Sequence, residues 1–94
     1  MKAYFDSEAN AVSIDLLDVD HWDDGGEFDE YYCTVAFSRE RVANIGLLYP
    51  SEHLHLLEAV AERYHLDARG LVAVAKAALA APDRTVRISE RLAA

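Results

Sequence analysis

The chain has a single cysteine in 94 residues, which excludes an internal disulfide. Cys33 stands inside an apolar run, where a buried, inert thiol is expected. With 4 glycines and 2 prolines the chain is no linker or low-complexity tract, and 52% hydrophobic residues are enough to build a core. Long apolar runs are also missing. The longest, Leu71–Ala81, is broken by Lys76 and is far too short to span a bilayer, so no membrane association is expected. No basic stretch followed by an apolar one opens the sequence, so no signal peptide is expected and a cytoplasmic protein is. The length suits one domain, 1–94, and leaves no room for a Rossmann fold or a barrel.

Catalytic signatures are absent too. There is no G-x-S-x-G elbow and no G-x-x-x-x-G-K-[ST] phosphate loop. The serines fall in turn, cap or strand contexts. His53 and His55 flank one residue on a predicted helix, which turns their rings about 200° apart. His21 and His65 are isolated, and zinc needs three or four converging ligands. No catalytic residue, no metal site and no cofactor is expected, so the chain reads as a non-enzyme.

Positive charge is missing from one place above all. Residues 15–30 hold eight acids and no Lys or Arg, while the rest of the chain carries nine acids and nine bases. That one segment therefore supplies the whole net charge of −8. Such a field repels phosphate backbones and draws in a basic partner. A solubilising loop and a weak cation site are the alternatives. An EF-hand needs oxygen ligands at positions 1, 3 and 5 and Gly at 6. Counting from Asp18 puts Trp22 and Asp23 at positions 5 and 6, and counting from Asp20 puts Trp22 at position 3, so both registers fail. Trp22 lies in the densest acidic run. Exposed, it would be a hot spot for a basic surface; buried, it would pin the loop to the sheet. The candidate partner-binding residues are Asp18, Asp20, Trp22, Asp23, Asp24, Glu27 and Tyr31.

The periodicity predicts an α+β fold: a four-stranded antiparallel β-meander of two hairpins, then two α-helices and a short C-terminal strand. Residues 1–50 form the β-hairpin module and 51–90 a helical extension with the closing strand. Lys2–Phe5 and Ala11–Leu17 make the first hairpin, with Val12, Ile14 and Leu16 on one face. Tyr31–Ser38 alternates next, with Tyr31, Cys33, Val35 and Phe37 on one face. Val42–Tyr49 is the fourth strand, with Ile45, Leu47 and Tyr49 inward. The acidic segment joins strands two and three as a loop. Ser51 is a candidate helix cap, and Leu54, Leu57, Ala61 and Tyr64 form an apolar helical stripe. Asp67 caps a second helix whose buried side is Leu71, Val74 or Ala75, Ala78 and Leu79. Pro82 ends it. Arg84–Ser89 alternates as a last strand, and Arg91–Ala94 frays. The six alanines between Ala73 and Ala81 serve either helix propensity and intrachain packing or a helix–helix dimer or partner contact. A homodimer is expected, because so small a sheet has two edges and a thin core to protect. The second helix offers only Arg69 and Lys76 to a major groove, so no direct nucleic-acid binding is expected.

The run Tyr4-Phe5-Asp6-Ser7-Glu8-Ala9-Asn10-Ala11-Val12-Ser13-Ile14-Asp15-Leu16 resembles the opening hairpin of a small bacterial family, domain of unknown function 2283. Val35-Ala36-Phe37, a polar turn, and Val42-Ala43-Asn44-Ile45-Gly46-Leu47-Leu48 resemble its second hairpin. The resemblance covers residues 1 to about 51 and departs from the family pattern at Asn10, Asn44 and Leu48. It implies a small all-β module without known catalytic residues. Family members are often encoded beside small RNase-like toxins, which implies an antitoxin or partner-binding role. Joined to the acidic segment, this points to an antitoxin-like neutraliser of a basic protein partner. Two other readings stand beside it: an assembly subunit that homodimerises through the Ala-rich helix, and a small-ligand binder on the sheet face, whose signature would be an apolar cavity.

Overall fold

A computed structural model describes residues 1–29 and 31–88, without the side chains of Glu27 and Asp29. The class is α+β, as the periodicity predicts. The strands are β1 (Lys2–Asp6), β2 (Ala11–Asp15), β3 (Asp24–Asp29), β4 (Cys33–Ser38), β5 (Arg41–Leu48) and β6 (Thr85–Arg87). The helices are α1 (Pro50–His53), α2 (His55–Tyr64) and α3 (Ala68–Ala80). Ser89, the expected end of the last strand, and the expected fraying of Arg91–Ala94 lie outside the described residues.

The strands form one antiparallel sheet in the order β3-β4-β5-β2-β1-β6. Both expected hairpins are present, β1–β2 and β4–β5, but they do not make a simple meander. β2 pairs with β5, so Val12 faces Leu47 and Ile14 faces Ile45 across the join. This register puts buried apolar positions of the two hairpins opposite one another. The acidic segment therefore crosses the end of the β4–β5 hairpin, and its second half forms β3 at the far edge. That strand corrects the expected loop. Gly25 lets it close on β4, since a Cβ there would lie 3.3 Å from the Ala36 Cα.

Alternation sorts the inner face as expected: Ala3, Val12, Ile14, Cys33, Val35, Ile45 and Leu47 are buried. α3 packs over β1 and β2 and against α2. Its buried side is Gly70, Leu71, Val74, Ala75 and Ala78, and that of α2 is Leu57, Val60 and Ala61. Of the predicted stripes, Leu54, Tyr64 and Leu79 are only half-buried. Tyr49 and Tyr31, expected to face inward, are exposed. Tyr49 adopts a left-handed conformation, φ 47°, as it leaves β5, and stands at the N-cap position expected of Ser51. Asp67 occupies its expected cap position but makes no side-chain cap bond.

A turn contact ties the end of α3 to the first hairpin. Asp83, at φ 62°, accepts hydrogen bonds from the Ser7 hydroxyl at 2.7 Å and the Ser7 N–H at 3.0 Å. These donors, the hydroxyl foremost, hold the Asp83 carboxyl below its ordinary value, against a smaller opposing effect of desolvation. A carboxylate lowered in the folded state adds stability above its unfolded value and loses it as pH falls through the lowered one. Ser7→Ala is expected to melt below the parent at neutral pH, and the gap should close in acid below the aspartate range. A gap that is constant from neutral pH into acid would contradict this.

Candidate functional site

The acidic segment is a short arch held at both ends. Where β2 ends, the Leu16 and Leu17 N–H groups donate to the Ala43 carbonyl at 2.8 and 3.4 Å. Ala43 is the extra residue of a bulge in β5, since Ala36 pairs with Asn44 and Phe37 with Val42. At the other end the Asp23 N–H donates to the Phe37 carbonyl at 2.9 Å, and its Oδ2 accepts from the Arg39 N–H at 2.7 Å. Asp24 Oδ1 accepts from the Gly25 N–H at 2.8 Å. Two carboxylates thus hold the backbone of the arch, while Asp18 and Asp20 stand between the anchors, exposed.

Trp22 is 53% exposed, which decides between its two readings: it does not pin the loop to the sheet. Arg39 and Arg41 border the same cleft as Asp18, Asp20 and Asp23. Among the described residues no ion pair joins them. The two arginines weaken the local field without neutralising any one carboxylate. Among the described residues no three His, Cys, Asp or Glu side chains converge as metal ligands.

The structure divides the candidate residues. Asp18, Asp20, Trp22, Asp23 and Asp24 share one end of the sheet. Glu27 lies along β3 opposite Thr34. Tyr31 follows β3 at its far end, about 20 Å from Asp24 at roughly 3.4 Å per residue. Tyr31 belongs to a second surface that sequence reasoning missed. There Tyr31 meets Tyr32 edge-on at 6.2 Å, Tyr32 meets Tyr49 at 6.2 Å, and Tyr32 stacks on His53 at 4.1 Å. His53 Nδ1 donates to the Leu48 and Tyr49 carbonyls at 3.1 and 3.0 Å, which fixes its ring, because a carbonyl can only accept. The His53 and His55 rings lie 6.0 Å apart rather than pointing away from each other. The helical path tightens at Leu54, whose carbonyl accepts from the Leu57 N–H at 3.0 Å. Alternation places Tyr31 and Tyr49 inward, so it gives no sign of this cluster.

The open face of the sheet carries a trough of about 490 Å³. Its floor is Ser13, Gly46 and Thr34, with Tyr4 on one side and Tyr31 and Tyr32 on the other. Ala75 and Ala78, by contrast, are fully buried in the chain's own core, so the buried side of the Ala-rich helix is not available to a second copy. Among the described residues no helix is long and apolar enough to cross a membrane. Comparisons with protein-family models, curated proteins and solved structures found no match to this chain.

Proposed function

We propose that this chain is a non-enzymatic protein-binding module, an antitoxin-like neutraliser whose acidic arch engages a basic partner such as the active cleft of a small RNase-like toxin. The observation that carries the reading is the joint exposure of Asp18, Asp20 and Trp22 on an arch fixed at both ends. A fixed arch loses little entropy on binding, and an exposed tryptophan among carboxylates supplies both apolar area and steering charge. The resemblance of residues 1 to about 51 to the family of domain of unknown function 2283 supports the same reading. The acids also have a structural use, because charges along β3 discourage another strand from adding to that edge. That use does not require Trp22 to be exposed.

The test separates anchors from contacts. Asp23 and Asp24 hold the backbone, so reversing them would disturb the arch itself. Asp18→Lys, Asp20→Lys and Trp22→Ala change only exposed side chains. Each is expected to fold as the parent does. Trp22→Ala is expected to weaken capture of a basic, toxin-sized companion at low salt by about thirtyfold, the usual cost of a tryptophan hot spot. The double reversal of Asp18 and Asp20 is expected to abolish capture. Capture that survives all three changes, or that ignores added salt, would remove the proposal.

A further inference from the structure

We infer that β3 is a latch on the acidic segment: one side chain, Phe28, holds it to the body of the molecule, and it opens from the edge of β4 as a unit while the rest of the sheet stays folded. The strand has little else to hold it. Its residues, Asp24-Gly25-Gly26-Glu27-Phe28-Asp29, include a single large apolar side chain. Gly26 pairs with Val35 and so continues the inner row Val35, Ile45, Ile14, Ala3, all of them buried. Yet a Cβ on Gly26 would have nothing within 4 Å, so the inner side of β3 is bare there. Phe28 is the exception. Glu27 pairs with Thr34 and Asp29 with Cys33, which makes Phe28 the extra residue of a bulge. It is half-buried and packs against the core. Its ring lies 6.3 Å from that of Tyr64, at the end of α2, and Tyr64 meets Phe37 of β4 edge-on at 5.4 Å. The Arg63 guanidinium stands over both rings, 5.9 Å from the centre of Phe28 and 5.7 Å from that of Tyr64, a cation–π hold on the same residue.

Charge works against the latch. Residues 15–30 hold eight acids and no Lys or Arg, so docking β3 confines like charges along one edge. Arg39 and Arg41 border the arch and Arg63 lies over Phe28, and these basic side chains oppose the repulsion. An edge strand with one apolar anchor and two glycines belongs to the low-stability end of a fold. β2 and β5 belong to the other end, since they lie inside the sheet and bury Val12, Ile14, Ile45 and Leu47. Opening takes the arch with it. Asp23, whose N–H donates to the Phe37 carbonyl at 2.9 Å, directly precedes β3, so that anchor loosens with the strand. The Leu16 anchor on the Ala43 carbonyl, at 2.8 Å, lies at the end of β2 and stays. The arch changes from fixed at both ends to tethered at one. The consequence for capture of a basic partner rests on the reading of the arch as the binding element; the opening of β3 does not.

Hydrogen exchange of the full chain, followed residue by residue by NMR in urea below the unfolding transition, tests the inference. The Asp23 amide and the hydrogen-bonded amides of β3 are expected to exchange together through one opening, about a hundredfold or more faster than those of β2 and β5. Phe28→Ala is expected to speed the β3 group by about a further hundredfold and to leave the β2 and β5 amides within about twofold of the parent. Gly26→Val fills open space on the inner side and replaces a glycine in a strand, and is expected to slow the β3 group about tenfold. The measurement needs no partner, so a failure here leaves the neutraliser reading standing, and an absence of capture leaves the latch standing. β3 amides that exchange in step with β2 and β5, or that are unprotected in the parent, overturn the inference. So does a Phe28→Ala variant that speeds all three strands alike, or a Gly26→Val variant that leaves β3 unchanged.

Discussion

Ala75→Glu is expected to leave the chain without a cooperative folded state. Ala75 is fully buried, where α3 lies on the sheet among Leu71, Val74 and Ala78. A glutamate there overfills a close-packed core and puts a carboxylate where, among the described residues, no basic side chain lines the core. Burying an unpaired charge costs several kcal/mol, and a chain of this length has about 5–10 kcal/mol to lose. Ala73→Glu is the control. It sits two residues away on the exposed side of the same helix and is expected to shift stability by no more than about 0.5 kcal/mol. Urea unfolding followed by circular dichroism measures both. A folded Ala75→Glu would mean that α3 turns another side to the sheet, and the Ala-rich helix would again be open to a second chain.

Arg39→Asn with Glu40→Gly is expected to move stability the other way, by about 2 kcal/mol. The β4–β5 hairpin turns through only these two residues, and both are left-handed, at φ 51° and 66°. That is the pattern of a type I′ turn, which suits the hairpin twist and favours Asn-Gly. An ordinary L-residue held there costs about 1–2 kcal/mol, because Cβ crowds the following carbonyl. Asn-Gly removes most of that cost and keeps the Arg39 backbone N–H that donates to Asp23. The melting temperature is expected to rise by about 10 °C, judged by the size of the chain. No gain, or a loss, would show that the Arg39 and Glu40 side chains stabilise the molecule by more than the strain they carry. Both border clefts at the acidic end of the sheet. If the gain appears and capture of a basic partner changes with it, the strain is retained for binding rather than folding.

These outcomes depend on how far local pattern reaches. Val12, Ile14, Cys33, Val35, Ile45 and Leu47 alternate strongly, and each is buried on the side its alternation predicts. β3 gave no such signal. Asp24-Gly25-Gly26-Glu27 has poor strand propensity, and its pairing comes from the open edge of β4 rather than from its own residues. The expected helical stripe runs through Leu54 and Tyr64, whereas Val60 completes the buried side. A periodicity of 3.6 gives the stripe but not which flank the neighbouring sheet covers. Tyr49 faces inward only if a period of two extends beyond the last paired residue, Leu48, and there the chain turns left-handed and the period ends.

Residue pattern alone settles the division into a β half and a helical half, the inner face of each hairpin, the helix stop at Pro82 and the placement of all net charge in one segment. These follow from residue spacing and composition, which act over a few neighbours. The packed molecule was needed to show that β2 joins β5, that the acidic segment contributes an edge strand and a fixed arch, that Ala75 and Ala78 pack inward, and that tyrosines from two separate stretches meet His53 at the other end of the sheet. Each of those depends on which distant surfaces bury the most apolar area together, a choice that the whole chain makes at once and no short window records.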